Sequence, residues 1–202
     1  MPRRELHRIE SLLRGRAPTP VAHEPSARAA VAIVLAPDER DLNLMLIQRS
    51  EHPLDPWSGH MAFPGGRHDS GDEDLVSTAV RETLEEVGID LARHGRLVGP
   101  LDDVQASARG RLLDLVITPY LFALDEQLPP TIDETEVAAA LWVPVQVFRD
   151  ERYHGTAQIA RGDFRGDVPA YLFDGHTVWG LTYRMIRGFL AALEEGAGEE
   201  LR

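Results

Sequence analysis

The stretch LLDLVITPYLFAL, residues 112–124, is apolar at almost every position. A β-strand with this pattern is buried on both faces, so its sheet needs other elements packed on both sides. Further β-rich runs occur at 28–37 and 42–50, and the turn-like PDERD between them predicts a hairpin. Strands interspersed with helical segments predict an α/β or α+β sandwich in one domain.

Composition narrows the class of protein. The chain has 202 residues, of which 43% are hydrophobic, and this suits one globular domain with a substantial core. The absence of cysteine excludes disulfides and thiolate metal sites and favours a cytoplasmic location. The net charge of -12 argues against nucleic acid as a partner. No apolar run approaches the roughly 20 residues that cross a bilayer, so no membrane partner is expected.

The sequence predicts three parts in the chain. Apolar residues at helical spacing, followed by a proline-rich stretch, predict a surface helix and a linker over residues 1–26. Residues 27–195 form the main domain, and residues 196–202 form a C-terminal tail. Within the main domain, the proline- and glycine-rich loop at 51–74 is long, which is typical of a functional loop.

A helix predicted over residues 75–87 carries an unusual concentration of negative charge. Glu82, Glu85 and Glu86 are spaced i, i+3, i+4, so their carboxylates project from one face, opposite an apolar stripe that includes Leu84. Like charges one turn apart cost about 0.2–0.5 kcal/mol, and the helix dipole disfavours anions in the last turn. A solvated acidic face is the alternative, but this repulsion favours a bound divalent cation. Oxygen donors favour Mg²⁺ or Mn²⁺.

A glycine pair precedes this helix. The motif FPGG lies at 63–66, and Gly65 and Gly66 allow the backbone to approach a ligand or to turn a carbonyl toward a metal. The sequence GGRHDSGDEDLVSTAVRETLEEVGI resembles the Nudix box, G-x5-E-x7-R-E-U-x-E-E-x-G-U with U apolar. Residues 81–89 match the box except at Thr83, where an apolar residue is usual. This box is the signature of hydrolases that cleave a nucleoside diphosphate linked to another group.

One departure concerns the first acid of the box. The chain has one residue more between Gly66 and Arg81 than the pattern allows. An extra residue within the helix would rotate the preceding residues by about 100°, so we place it in the loop. Counting forward makes Asp72 the first acid, whereas counting back makes it Glu73, which is favoured. The resemblance implies that Arg81 then pairs with Glu73 and Glu85 and fixes the carboxylates.

The resemblance implies a Nudix fold, in which a mixed β-sheet is sandwiched between α-helices. It implies a divalent metal held principally by Glu82 and Glu86. Glu85 would be a further ligand or would hold a water molecule, and the Gly66 carbonyl would be an additional ligand. With Arg81, these glutamates form the implied catalytic group. The metal would neutralise the phosphoryl oxygens and activate a water molecule.

The resemblance extends beyond the box. The stretch LIQRSEHPLDPWSGHMAFPGG is similar to the segment that marks the coenzyme A diphosphatase branch, and HTVWGLTYRMI looks like its closing segment. Leu54 stands where that pattern has a second arginine. Coenzyme A or its derivatives are therefore the favoured substrates. The alternatives are ADP-ribose, nucleotide sugars, dinucleoside polyphosphates or oxidised nucleoside triphosphates. A non-catalytic nucleotide-binding module and an acidic interaction domain are rivals from other classes.

Further candidates lie outside the box. Arg49, at a strand end, is a candidate phosphate contact, with a surface salt bridge as the alternative. Trp57 either stacks on adenine or anchors its loop, whereas Trp179 is expected in the core. Glu136, just before a strand, is a candidate general base. The expected partner is a small nucleotide diphosphate, and the oligomeric state stays open, a homodimer included. The predicted substrate-binding residues are Arg49, Trp57, Gly65 and Gly66.

Overall fold

The computed structural model describes residues 1–52, 57–108, 111–161 and 164–200, so Leu54 lies outside the described residues. The helices are α1 Pro2–Leu13, α2 Leu75–Val87, α3 Leu91–His94, α4 Val145–Arg149 and α5 Gly180–Glu200. The strands are β1 Ala27–Pro37, β2 Leu42–Arg49, β3 Met61–Ala62, β4 Gly65–Arg67, β5 Arg96–Pro100, β6 Val104–Ala108, β7 Arg111–Ala123, β8 Val137–Pro144, β9 His154–Arg161, β10 Phe164–Phe173 and β11 His176–Trp179.

The described strands form one large mixed sheet and a small one. The order in the large sheet is β3-β2-β1-β7-β5, and β4, β6 and β8 pair with β1, β7 and β2 respectively. Strands β1 and β7 run parallel, whereas β1 and β2 form the predicted antiparallel hairpin. The apolar β7 lies inside this sheet, as its sequence predicts, but Leu112 near its start is 75% exposed and the strand is mostly buried only from Leu115 onward. The small sheet has the order β11-β10-β9.

Side chains of β1 alternate between two apolar layers, because successive residues of a strand point to opposite faces. The layer that includes α1 and α5 receives one set, and the layer that includes α2 and α3 receives the other. The first set is Ala29, Val31, Ile33 and Leu35, and the second is Ala30, Ala32, Val34 and Ala36. This arrangement confirms the predicted sheet between helices.

The first helix belongs to the domain core. Leu6, Ile9 and Leu13 are each at most 3% exposed, and α1 packs against α5. Helix α5 continues to Glu200, past the predicted boundary after residue 195. Among the described residues, no helix is both long and apolar enough to cross a membrane.

Two elements differ from the sequence pattern. The apolar run after Glu136 continues to Phe148, but β8 ends at Pro144 and α4 follows. Proline has no backbone N–H to donate and is often found at the start of a helix. Strand β9 carries no alternating apolar pattern in HGTAQIAR and is formed by pairing with β10. Its position comes from the neighbouring strand and not from its own side chains.

Candidate metal and diphosphate site

Helix α2 has the predicted limits and clear local signals at both ends. The side chain of Asp74 accepts a hydrogen bond from Ser77 N at 2.7 Å, and Gly88 caps the C-terminus in the left-handed conformation with φ 68°. Thr83, which departs from the box pattern, is buried, and its hydroxyl donates to the Ala79 carbonyl at 2.7 Å. Since this hydroxyl is satisfied within the helix, Thr83 can occupy an apolar position.

The carboxylates of α2 do not share one environment, and this corrects the simple picture of an acidic face. Leu84, expected on the buried stripe, is 48% exposed, whereas Glu86 is 1% exposed. The side chain of Glu85 is 58% exposed. The difference arises because α2 packs against both β1 and β4, so Glu86 points inward to the backbone of the glycine pair.

Glu86 is a buried carboxyl group that contacts the backbone of the glycine pair and Arg49. Its Oε2 accepts a hydrogen bond from Gly65 N at 2.8 Å, and Arg49 Nη1 lies 3.8 Å from its Oε1. Burial raises the pKa of Glu86 to about 8 against the opposing effects of these two partners. Burial also raises the pKa of Glu82, because desolvation disfavours the charged form. A divalent cation between these carboxylates would favour their charged forms.

The glycine pair is required by close approach to neighbouring atoms. A Cβ atom on Gly66 would lie 2.3 Å from Oε1 of Glu82, so the bare backbone makes room for this carboxylate. Gly65 has φ 149°, and a Cβ atom there would lie 2.3 Å from the Ala30 carbonyl oxygen. The predicted role of the glycines in close approach is therefore seen in the geometry.

Arg81 joins the loop to the helix through Asp72, and the expectation that it pairs with Glu73 is wrong. Arg81 donates to the two carboxylate oxygens of Asp72 at 2.8 and 3.0 Å, whereas Glu73 is exposed. Thr78 also donates to Asp72, and these contacts hold the pKa of Asp72 well below its usual range, chiefly through Arg81. The predicted pair of Arg81 with Glu85 is present at 2.8 Å. The extra loop residue therefore follows Asp72.

The carboxylates of the box are held by protein groups. Arg81 Nη2 lies 3.0 Å from Glu82 Oε1, in addition to its pair with Glu85. In the part of the chain that the structure describes, no three His, Cys, Asp or Glu side chains are already grouped as a metal site. The donor set nevertheless fits a hard cation, because the Glu82 carboxylate lies against the bare Gly66 backbone and the buried Glu86 carboxyl group contacts Gly65 N.

Two predicted residues outside the box are brought to it. Arg49 lies at the end of β2, and its guanidinium approaches Glu86. Glu136 is exposed, and its backbone carbonyl accepts a hydrogen bond from Ser50 N at 2.8 Å. The negative charge of Glu136 contributes to the raised pKa of both Glu82 and Glu86, which places it within electrostatic reach of these carboxylates.

Comparison with known proteins identifies the family. The model of the NUDIX domain matches residues 25–161, more than half of the chain. An uncharacterized Nudix hydrolase, NudL, of Yersinia enterocolitica is 31% identical over 167 residues, which cover 82% of this chain and 80% of that protein. The chain belongs to the Nudix hydrolase family. Nudix hydrolases act on small-molecule nucleotide substrates and use divalent metals.

Two other similarities are informative. An uncharacterized protein of Schizosaccharomyces pombe is 37% identical over 146 residues, which cover 63% of this chain but only 44% of that protein. The structure of a MutT/nudix family protein from Enterococcus faecalis aligns with a TM-score of 0.54 at 18% identity, covering 88% of this chain and 66% of that one. The second similarity supports the Nudix fold alone.

Beside the Nudix box lies an apolar cavity of about 250 Å³. Arg49, Gly65 and Gly66 contribute to its lining, so the cavity adjoins the carboxylate site. Trp57 also lines it, and its Nε1 donates to the Ser107 carbonyl at 3.3 Å. Trp179, which sequence reasoning assigned to the core, is a further wall residue. The segment HTVWGLTYRMI carried the signal, but only the fold shows which of its residues face the cavity.

Proposed function

We propose that the protein is a metal-dependent Nudix diphosphatase that hydrolyses coenzyme A or its derivatives to 3',5'-ADP and 4'-phosphopantetheine. Mg²⁺ or Mn²⁺ is the proposed cofactor. The observation that carries the diphosphatase proposal is the buried carboxylate of Glu86 against Gly65 N, beside Glu82 against the bare backbone of Gly66. Such an arrangement is suited to a divalent cation and, through it, to a diphosphate.

Glu82 and Glu86 would hold the ion, with Glu85 and the Gly66 carbonyl as further oxygen donors. When bound, the ion would neutralise charge on the phosphoryl oxygens and make water more acidic. Arg81 is a positioning residue, because it already contacts two of these carboxylates.

Arg49 and Glu136 have separate proposed roles. The guanidinium of Arg49 can donate to a phosphate oxygen at the edge of the site, because planar N–H donors match phosphate geometry. Glu136 is exposed, and its negative charge acts on the carboxyl groups of the box, so in this proposal it accepts the proton of the attacking water.

The preference for coenzyme A has two supports. The segments before the box and near the C-terminus resemble the coenzyme A diphosphatase branch, although Leu54 departs from that pattern. The apolar cavity beside the box also suits a substrate with a long, weakly polar arm beyond its diphosphate.

A substrate panel tests this function. The purified chain is incubated with Mg²⁺ or Mn²⁺ and with coenzyme A, ADP-ribose, a nucleotide sugar or a nucleoside triphosphate, and the products are separated by chromatography. We expect the highest kcat/KM for coenzyme A and no turnover in EDTA. Faster cleavage of ADP-ribose would overturn the coenzyme A assignment alone, whereas no cleavage of any compound would overturn the diphosphatase proposal.

A further inference from the structure

The cavity beside the Nudix box has an apolar wall to which two parts of the fold contribute. One part is the main sheet, with Ala29 and Val31 on β1 and Leu115 and Ile117 on β7. The other is the start of α5 and the strand before it. The residues that this second part contributes are Trp179, Leu181, Thr182 and Met185.

The second wall lies outside the region that matches the family. The NUDIX domain match ends at residue 161, whereas β10, β11 and α5 follow it and continue to Glu200. The hydroxyl of Thr182 is buried and donates to the Met61 carbonyl at 2.9 Å, which fixes the start of α5 against β3. The C-terminal segment therefore completes a cavity that the matched domain leaves open on one side.

The chemistry of the lining differs from that of the carboxylate site. Apart from Arg49, Arg67, His60 and Thr182, the side chains that line the cavity are hydrocarbon, thioether or indole groups. The rings of His60 and Trp179 are themselves packed together, with centroids 4.6 Å apart. The polar edge of a nucleobase would have to exchange its hydrogen bonds to water for hydrogen bonds to the cavity wall, and a polar group left without such a bond in an apolar site costs free energy. A flexible apolar chain needs none.

Size gives a further constraint. A cavity of about 250 Å³ is smaller than the roughly 300–1,000 Å³ of pockets that enclose a whole drug-sized ligand. It is therefore suited to one end of a substrate whose diphosphate lies beside Gly65 and Gly66.

We propose that this cavity binds an apolar chain carried by the substrate arm, such as an acyl group on coenzyme A, and that Trp179, Leu181 and Met185 select for it. The selectivity of this Nudix protein is thus assigned to the segment that follows the matched domain. This inference rests on the proposed function, because the chain must be linked to the diphosphate that the box handles.

A binding experiment tests the cavity without catalysis. S-octanoyl-pantetheine, which has no phosphate, is titrated into the protein in EDTA while tryptophan emission is recorded. Trp57 and Trp179 line the cavity, whereas Trp142 lies in the opposite apolar layer, so Trp142→Phe removes the background. We expect saturable emission change with S-octanoyl-pantetheine and none with adenosine. A response to adenosine alone would assign the cavity to a base, and a response to neither compound would remove it as a binding site.

Selectivity is tested by filling the cavity. Leu181→Trp should lower kcat/KM for octanoyl-coenzyme A about tenfold more than for ADP-ribose, because the chain loses its space. Leu172→Ala is the matched control, since Leu172 belongs to the same C-terminal segment, is 39% exposed and does not line this cavity. Equal losses for the two substrates would overturn the inference while leaving the diphosphatase proposal intact. If neither substrate is cleaved, the emission experiment still decides on the cavity.

Discussion

The two sides of the site are built in different ways. On the carboxylate side, Glu82, Glu86 and Arg81 lie on consecutive turns of one helix and meet a glycine pair a short distance away in sequence. On the cavity side, Trp179 and Leu181 come from the C-terminal part of the fold and meet β7 and also β1, which precedes them by more than half of the chain. The residues of the proposed metal site are therefore close together in sequence, whereas the residues proposed to select the substrate meet only through long-range packing.

This difference explains what each side can tolerate. The carboxylate side places charged groups in a buried setting, so a change of one atom alters both charge and hydrogen bonding. The apolar wall depends on volume, and volume-conserving changes in such walls are tolerated best. Substitutions on the carboxylate side should therefore affect all substrates equally, and substitutions in the wall should discriminate among them.

The largest effect is expected at Glu86. We expect Glu86→Gln to lower kcat about 10³-fold for every diphosphate substrate, because the anion that would hold the metal is lost. The melting temperature should not fall, since glutamine has the same shape and needs no desolvation of charge in a position that is 1% exposed. Kinetics and thermal unfolding measure the two quantities.

Glu85→Gln is the comparison for Glu86, and it should cost less activity because its side chain is 58% exposed. Equal losses at Glu85 and Glu86 would contradict the distinction between the buried and the exposed carboxylate. A loss for coenzyme A alone would contradict the assignment of the helix to the shared diphosphate.

A smaller effect is expected at Glu136. If Glu136 accepts the proton of the attacking water, Glu136→Gln should lower kcat about 10²-fold and flatten the fall in rate toward acid pH. Glu134→Gln is the matched control, because Glu134 is an exposed glutamate of the same loop. A pH–rate profile that keeps its acid limb in Glu136→Gln would assign the base to another group.

The smallest effect is expected at Asp72, which acts through Arg81. Asp72→Asn should lower kcat about tenfold, as for other groups that orient metal ligands. It should also lower the melting temperature, because Asp72 pairs with Arg81 and accepts from Thr78. Glu73→Gln should resemble the unmodified protein in both measurements, since Glu73 is exposed. If Glu73→Gln lowered kcat and the melting temperature more than Asp72→Asn, Glu73 and not Asp72 would be the first acid of the box.

The sequence predicts much of this arrangement where the determining contacts are local. The limits of α2, the hairpin of β1 and β2 and the pair of Arg81 with Glu85 follow from periodicity, caps and helical spacing. The burial of β7 follows its sequence only from Leu115 onward, because Leu112 is 75% exposed. Asp72 was not favoured, because counting along a loop with one extra residue cannot show where the chain bends. Leu84 was expected to be buried and Glu86 to be exposed, but the structure shows the opposite. The position of β4 decides which side of α2 is buried, and the helical pattern alone does not show that position.

Other features could not be predicted because they depend on distant segments. Strand β9 has no alternating apolar pattern of its own. The local sequence around Trp179 does not distinguish a tryptophan in the core from one that lines a cavity. The roles of Arg49, Trp57 and Glu136 stay predictions, now with positions that allow them to be tested.

Helix α1 is synthesised well before α5, yet the two helices pack together, and a Cβ atom on Gly196 would lie 3.0 Å from the Leu12 carbonyl oxygen. During synthesis, the apolar face of α1 therefore becomes fully buried only after α5, which follows almost all of the domain, has been synthesised. A nascent chain halted before α5 would present Leu6, Ile9 and Leu13 with incomplete cover, and such a face is a natural target for chaperones.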